Sequence, residues 1–205
     1  MITLYGIEWS RAQYVLFTLA ELGLEFKHVR INPFTEEKNA SDYLKLNPLA
    51  QVPTLVDGDL VLTEAMAINF YLSKKYGAEK LWVSRLEDEA QIYKWTFFAV
   101  TQMETSCVDL GGRRITKKKN ERNSGLIRLA EQKLVKPLVV LNNHLADKDT
   151  LVANQFTIAD INLTAVLSYA RGGEFDFSPY PHVARYLDAI LSRPGCRNAK
   201  TTSLA

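Results

Sequence analysis

The sequence is poor in cysteine and histidine, and neither residue is clustered. Cys107 and Cys196 lie far apart with no CxxC pair, while His28, His144 and His182 are scattered along the chain. Structural zinc sites and disulfide frameworks both need several such residues at short, regular spacings. We therefore expect a reduced, cytosolic protein with no metal cofactor.

Strong charge and long apolar runs are also absent. The formal net charge is only +2, from 25 Lys and Arg against 23 Asp and Glu. Nucleic-acid binding needs concentrated positive charge, so composition gives no case for such a partner. No segment reaches the roughly 18 consecutive apolar residues of a membrane span. Met1 leads straight into a strand-like segment, so no basic-then-apolar leader is expected and the location is predicted to be cytoplasmic.

Alternating strand and helix patterns occupy the first 76 residues. Apolar residues alternate with polar ones where strands are predicted, and they follow helical spacing where helices are predicted. The βαβ start implies a parallel strand pair with a right-handed crossover. We predict a thioredoxin-like α/β domain over residues 1–76, in the order β-α-β-α-β-β-α. Its elements are a strand at 2–5, a helix at 11–22, a strand at 26–31, a helix at 41–46, a hairpin around Asp57-Gly58 and a helix at 64–75.

The hairpin and the helix after it carry the most informative features of the chain. Asp57-Gly58 between two apolar runs is a strong hairpin signal. Pro53 stands where a strand begins, which marks a sheet edge, a strand start or a cis bond. A cis bond after Val52 would turn its N–H and C=O outward, toward another peptide. The helix opening at residues 63–65 offers free N–H groups to a carboxylate, so we predict a site for a small extended peptide with a carboxylate end.

No convincing strand follows residue 86. Residues 77–85 are predicted to form a linker, and residues 86–205 an all-helical domain. Trp95, Phe98 and Met103 lie at helical spacing and belong either to its core or to a substrate pocket. The run Lys117–Lys119 predicts a solvated loop, with a rim attracting anionic substrates as the alternative. Helices are predicted at 86–107, 122–146, 157–169 and 181–191.

Several motifs, in order and spacing, make the chain resemble the cytosolic glutathione transferases over essentially its whole length. That family has a Ser or Tyr near its first helix, an NPxGxVPxL segment and an ESxAI helix start. In the second half, FTIADI matches the buried capping box of the family, in which Thr157 caps a helix and Asp160 bonds back to the Thr157 N–H. The corresponding N-terminal residues here are Ser10, 47–55 and 64–68.

The resemblance implies that Ser10 stabilises the glutathione thiolate, as in the serine-type members. A free thiol has a pKa of about 8.5, so a hydroxyl hydrogen bond and a positive helix end are needed to favour the anion near neutral pH. Tyr5 is the competing candidate, because tyrosine-type members use a Tyr from the first strand. A helix N-cap is the alternative interpretation of Ser10, a strand aromatic that of Tyr5, and a backbone-only or inactive site remains open.

The resemblance also implies the residues that hold glutathione. Val52, together with Pro53, would pair its backbone with the cysteinyl unit. Glu64 would meet the γ-glutamyl ammonium, and the N–H groups of Glu64 and Ala65 would meet the carboxylate. Gln51 and Lys38 would reach the glycine carboxylate; the alternative for these two is a plain surface role, and for Glu64 a first-turn acid favoured by the helix dipole.

Two residues depart from the family pattern. Ala65 replaces a Ser whose hydroxyl helps to hold the γ-glutamyl carboxylate, which removes one hydrogen bond. Ala50 replaces a Gly, which matters if the position needs a positive φ. The resemblance implies a homodimeric transferase that conjugates glutathione to a hydrophobic electrophile. The alternatives are a non-catalytic binding protein of the same fold and a glutathione-dependent peroxidase.

Overall fold

The structure is a computed structural model and describes residues 1–115 and 122–201. The run Lys117–Lys119, predicted as a solvated loop, lies outside these residues. Across the described ranges, every helix is too short or too polar to cross a lipid bilayer.

The chain divides into two compact units. One contains Met1–Trp82 together with the described residues from Ser192 onward, and the other is Val83–Leu191. The division agrees with the predicted linker and differs from the predicted scheme only in the C-terminal segment. The boundary falls after Trp82, within the predicted linker at 77–85, and the C-terminal segment packs with the first unit instead of the helical one.

A four-stranded sheet forms the centre of the first unit. Its order is β2-β1-β3-β4, with β1 parallel to β2 and antiparallel to β3. Ile2 and Leu4 of β1 are buried, whereas Thr3 and Tyr5 on the other face are half-buried. The predicted thioredoxin-like order is therefore confirmed. The strands are β1 (Ile2–Tyr5), β2 (Phe26–Val29), β3 (Thr54–Asp57) and β4 (Leu60–Thr63).

The helices of this part of the unit are α1 (Ala12–Leu22), α2 (Ser41–Leu46) and α3 (Ala65–Tyr76). Helix α1 packs against α3, and most of its side chains are buried. It ends at Gly23, whose φ of 67° suits a residue without a Cβ.

The C-terminal end of α3 is tied to the hairpin. Asp57 Oδ2 accepts hydrogen bonds from the Tyr71 hydroxyl at 2.7 Å, from Lys75 Nζ at 2.8 Å and from the Tyr76 hydroxyl at 2.7 Å. The Lys75 ammonium and the two hydroxyls lower the pKa of Asp57 to about 2. The carboxylate thus holds α3 against β3 from its far end.

Helices joined by loops make up the described residues of the second unit, apart from an isolated bridge between Val152 and Gln155. A π-helical segment, Ala99–Glu104, interrupts the long first helix that the sequence predicts. The helix at Ile158–Gly172 is buried on nearly every face, because apolar residues lie all around it and not along a single stripe. The helices are α4 (Leu86–Phe98), α5 (Thr105–Ile115), α6 (Ser124–His144), α7 (Ile158–Gly172) and α8 (Pro181–Leu191).

A last helix, α9 (Pro194–Thr201), packs on α1 and is absent from the sequence-based prediction. Arg193 donates two hydrogen bonds, of 3.0 and 2.9 Å, to the carboxylate of Glu21. A Cβ at Gly195 would lie 2.7 Å from the Glu21 side chain, so glycine allows the close approach of this helix.

Candidate functional site

The segment before β3 is fixed by a small polar network. The Tyr43 hydroxyl and the Asn47 amide, the latter at 2.7 Å, both donate to the backbone carbonyl of Gln51. The Tyr43 hydroxyl also lies 3.0 Å from the Thr54 hydroxyl. Desolvation raises the pKa of Tyr43, so the phenol stays protonated and can donate. These hydrogen bonds fix the main chain of Gln51, and its side chain is exposed to solvent.

The Val52–Pro53 peptide bond is cis. Neither the N–H nor the C=O of Val52 has a hydrogen-bond partner among the residues that the structure describes. Both groups are therefore available to an extended peptide. Ala50 adopts a φ of 53°, so the position that the family fills with glycine does need a positive φ here.

The start of α3 has no side chain capping it. Its N-cap is Glu64, which is exposed and holds an unusual backbone with φ 69° and ψ 109°. Such a conformation is sparsely populated by L-residues and is found mostly at functional sites. The first N–H groups of the helix, beginning at the buried Ala65, have no acceptor within it. An anion at this position would accept from them and meet the positive end of the helix dipole.

Ser10 is buried, with 8% of its surface exposed, in the loop between β1 and α1. Its hydroxyl donates to the Ile7 carbonyl at 2.6 Å and accepts from the Ala12 N–H at 3.1 Å. The N-cap position itself belongs to Arg11, so the predicted N-cap role moves by one residue. The Ser10 oxygen nevertheless satisfies one free N–H of α1, and its proton can turn from Ile7 toward a ligand because a hydroxyl rotates freely.

The β1–α1 loop and the cis-proline loop meet at Gly6. A Cβ at this residue would lie 2.8 Å from the Ala12 Cβ and 3.1 Å from the Val52 Cβ, and the φ of Gly6 is +134°. Only glycine accommodates both the contact and the backbone conformation. Gly6 thus brings the start of α1, beside Ser10, close to the available backbone of Val52. A single glycine gave no signal of this contact in the sequence.

The two remaining predicted site residues, Tyr5 and Lys38, lie in different surroundings. Tyr5 is half-buried at the end of β1, opposite Thr54 in the sheet register, and its ring centroid is 5.8 Å from that of Tyr43. Lys38 lies in a short 3₁₀ turn, Glu36–Asn39, and is half-exposed. Tyr5 is therefore engaged in aromatic packing, while Lys38 keeps part of its side chain in solvent.

Sequence analysis missed an ion pair between Glu8 of the β1–α1 loop and Arg30, which follows β2. Glu8 has only 4% of its surface exposed, and its carboxylate contacts the Arg30 guanidinium directly. The Nδ1 atom of His28 lies 3.9 Å from the same carboxylate. An acidic residue between two apolar ones, Ile7 and Trp9, was the signal that could have revealed it, because a charge in such a position is buried only with a partner.

Neither cysteine of the chain is a candidate nucleophile. Both are buried and neither forms a disulfide, and burial raises the pKa of the Cys107 thiol to about 12. Among the described residues, no group of three or more His, Cys, Asp or Glu is arranged to hold a metal ion. A reacting thiol at this site would therefore come from a ligand.

The capping box that the sequence predicts is present at the start of α7. Asp160 accepts from the Thr157 N–H at 2.7 Å, from the Leu151 N–H at 2.9 Å and from the Tyr186 hydroxyl at 3.0 Å. Burial raises the pKa of Asp160 to about 6. The carboxylate is fully buried among these donors, so it joins two helices and a loop and is not accessible to a substrate.

Comparison with known proteins finds the same two-part organisation. Residues 1–74 match the family model "Glutathione S-transferase, N-terminal domain", and residues 90–194 match "Glutathione S-transferase, C-terminal domain". Glutathione S-transferase 3 of Zea mays is 30% identical over 200 residues, which cover 94% of this chain and 90% of that protein.

Solved structures agree with this similarity. Glutathione transferase F2 of Populus trichocarpa has a TM-score of 0.89 at 25% identity, with 99% of each chain covered. Ure2p5 of Phanerochaete chrysosporium, cocrystallised with 1-(S-glutathionyl)-2,4-dinitrobenzene, has a TM-score of 0.82 at 27% identity. That comparison covers 98% of this chain and 94% of the other.

Proposed function

The chain belongs to the glutathione S-transferase family, and on that basis we propose that it conjugates the glutathione thiolate to a hydrophobic electrophile. The observation that carries the proposal is the contact at Gly6, where the start of α1 beside Ser10 adjoins the available backbone of Val52. A peptide paired with Val52 would therefore extend next to the Ser10 hydroxyl.

Ser10 is proposed to stabilise the thiolate. On binding, its hydroxyl hydrogen would turn from the Ile7 carbonyl to the sulfur, while the Ala12 N–H continues to donate to its oxygen. Lowering the thiol pKa by two units corresponds to about 2.7 kcal/mol. The proton leaves to solvent, the sulfur lone pair forms a bond to an electrophilic carbon, and the leaving group departs with its electron pair. Tyr5, packed on Tyr43, is the weaker candidate.

The remaining glutathione contacts are proposed with support from the site geometry. The Val52 main chain would pair with the cysteinyl unit beside Pro53. The uncapped N-terminus of α3 supports binding of the γ-glutamyl carboxylate at the N–H groups of Glu64 and Ala65, with the Glu64 carboxylate meeting the ammonium. Gln51 and Lys38, whose side chains reach solvent, are proposed to meet the glycine carboxylate.

The electrophile is proposed to be apolar and to bind residues of the helical part of the chain, 86–205. Ure2p5, a structural relative, is described in complex with a glutathionyl dinitrobenzene, which is the product class of an aryl halide. We propose that this chain accepts such a substrate too, with 1-chloro-2,4-dinitrobenzene as the probe.

The decisive experiment compares the wild type with Ser10→Ala on that probe across pH. We expect the pH midpoint of kcat/KM to rise by one to two units in the variant, toward the free thiol, with KM for glutathione nearly unchanged. The measurement is initial rate against pH, with thermal unfolding to verify that the variant is folded. An unaltered midpoint would exclude Ser10 as the thiolate partner.

Two alternatives, a non-catalytic binding protein and a glutathione-dependent peroxidase, are tested with the same proteins. Ala65 is the reason to test them, because it lacks the hydroxyl that would help to hold glutathione. Retention on immobilised glutathione without turnover would indicate a binding protein. Oxidation of two glutathione molecules to their disulfide, with reduction of an organic hydroperoxide to the alcohol and water and without conjugation of the aryl halide, would indicate a peroxidase.

A homodimer and a cytoplasmic location are part of the proposal. Large apolar side chains are exposed at Leu49 in the first unit and at Leu86 and Phe97 in the second, as on surfaces that a partner covers. Cys107 and Cys196 form no disulfide, as is usual for proteins of reducing compartments. Sedimentation equilibrium at micromolar concentration tests the dimer, since a monomeric mass contradicts it.

A further inference from the structure

We propose that the ion pair between the buried Glu8 carboxylate and Arg30 is a positioning device for Ser10. This inference rests on the proposed role of Ser10 in thiolate stabilisation. Glu8 lies two residues before Ser10, in the same loop, and Arg30 lies just after β2. The pair therefore ties the loop that carries the hydroxyl to a strand of the sheet.

The position of Ser10 follows that of Ile7. The Ser10 N–H donates to the Ile7 carbonyl at 3.1 Å, and the Ser10 hydroxyl donates to the same oxygen at 2.6 Å. Ile7 is itself buried. A movement of the Ile7 peptide would consequently carry both the main chain and the hydroxyl of Ser10 with it.

Both neighbours of Ile7 are fastened to β2 or to the residue that follows it. The Gly6 N–H donates to the Val29 carbonyl at 3.0 Å, and His28 Nε2 donates to the Gly6 carbonyl at 2.7 Å. The carbonyl can only accept, so this ring nitrogen carries the hydrogen. On the other side, the Glu8 carboxylate contacts Arg30 and lies 3.9 Å from His28 Nδ1. Ile7 is thus held between two attachments to one strand region.

The attachment through Glu8 is the one that a single surface substitution can release. The Glu8 side chain is 5% exposed, whereas the Arg30 side chain is 50% exposed. Removing the guanidinium leaves a buried carboxylate without its cationic partner, and such a group moves toward water or becomes protonated. Either response displaces Glu8, and with it Ile7 and the hydroxyl of Ser10.

The test measures the pKa of the thiol in the binary complex, by the ultraviolet absorbance of bound thiolate against pH, together with kcat/KM for the aryl halide. Arg30→Met should raise the thiol pKa in the same direction as Ser10→Ala but by less. It should lower kcat/KM about 10-fold and leave KM for glutathione within about twofold. Arg30→Lys should restore part of the loss, because it keeps the charge but not the planar fork.

Arg193→Met is the matched control. It breaks another partly buried Arg–Glu pair of the same unit, with Glu21 at the opposite end of α1 from Ser10. It should lower the unfolding temperature without moving the thiol pKa. If Arg30→Met fails to fold, Glu8→Gln, which keeps the shape of the side chain, should show the same direction of shift.

The double variant Ser10→Ala with Arg30→Met separates the two proposals. If the pair acts through Ser10, the double variant has the thiol pKa of Ser10→Ala alone. A shift that adds to that of Ser10→Ala, or no shift in Arg30→Met when Ser10→Ala shifts, overturns the positioning role. No shift in Ser10→Ala itself overturns the proposed function first, and the positioning role with it.

Discussion

Two helix N-termini of this chain are built in opposite ways. At the start of α7, Asp160 and Thr157 cap the helix with their own side chains, and both residues are fully buried. At the start of α3, no side chain caps the helix, and the N-cap residue Glu64 is exposed with a φ of 69°. The first arrangement satisfies the free N–H groups within the protein, whereas the second leaves them for a ligand.

The difference shows how one physical feature serves folding in one place and recognition in another. A capped helix start gains stability from its own side chains. An uncapped one needs stabilisation from elsewhere, and α3 receives it at its other end through the bonds of Tyr71, Lys75 and Tyr76 to Asp57. The anchored end fixes the helix while the open end stays free to bind.

The largest effect that the comparison predicts is on stability, at the capped helix. Asp160→Ala removes the acceptor for the Thr157 and Leu151 N–H groups and the Tyr186 hydroxyl, all in a buried region. Because buried donors lose a hydrogen-bond partner, we expect the free energy of unfolding to fall by about 3–5 kcal/mol. Chemical denaturation monitored by circular dichroism measures this loss.

Asp188→Ala is the control for that experiment. Asp188 pairs with Arg171 in the same unit, but its side chain is 60% exposed, so its removal should cost less than about 1 kcal/mol. Glutathione affinity of the folded fraction should be unchanged in both variants. A loss for Asp160→Ala no greater than that for Asp188→Ala would show that the cap is not important for stability.

The next largest effect is on binding, at the open helix. Glu64→Ala should weaken glutathione binding about 10- to 100-fold, because a charge-assisted hydrogen bond to the ammonium contributes about 1.5–3 kcal/mol. The unfolding temperature should stay within a few degrees of the wild type, since the side chain is exposed. Isothermal titration calorimetry gives the affinity, and Glu64→Gln, which keeps the shape, isolates the contribution of charge. Equal affinity in all three proteins contradicts the assignment.

The two helix starts also differ in how well the sequence predicts them. Thr157 and Asp160 lie three residues apart before an apolar run, which is a local pattern, so sequence alone identifies the cap. The site around α3 depends on contacts between distant segments. The 3.1 Å approach between a Cβ at Gly6 and the Val52 Cβ joins residues far apart in the chain, which no local spacing relates.

The same reasoning explains the outcome for the fold. The strand and helix order of residues 1–76 follows from periodicity, and the Val52–Pro53 cis bond was among the alternatives that Pro53 allows. Helix α9 was missed because it is only eight residues long and mostly polar, so its sequence offers no long apolar stripe. It is held by the pairing of Arg193 with Glu21, a contact across 172 positions of the chain.

The smallest predicted effect is a gain in glutathione affinity at the uncapped start of α3. Ala65→Ser adds a hydroxyl at the first position of α3, beside the N–H groups proposed to hold the γ-glutamyl carboxylate. One further hydrogen bond contributes about 0.5–1.5 kcal/mol, so glutathione should bind about 2- to 10-fold more tightly. Ala67→Ser, two positions along the same helix, is the matched control, because it adds the same hydroxyl away from the proposed carboxylate. Titration calorimetry on both variants decides the question: tighter binding by both alike would mean that a hydroxyl in the first turn acts unspecifically, and tighter binding by neither would place the carboxylate elsewhere.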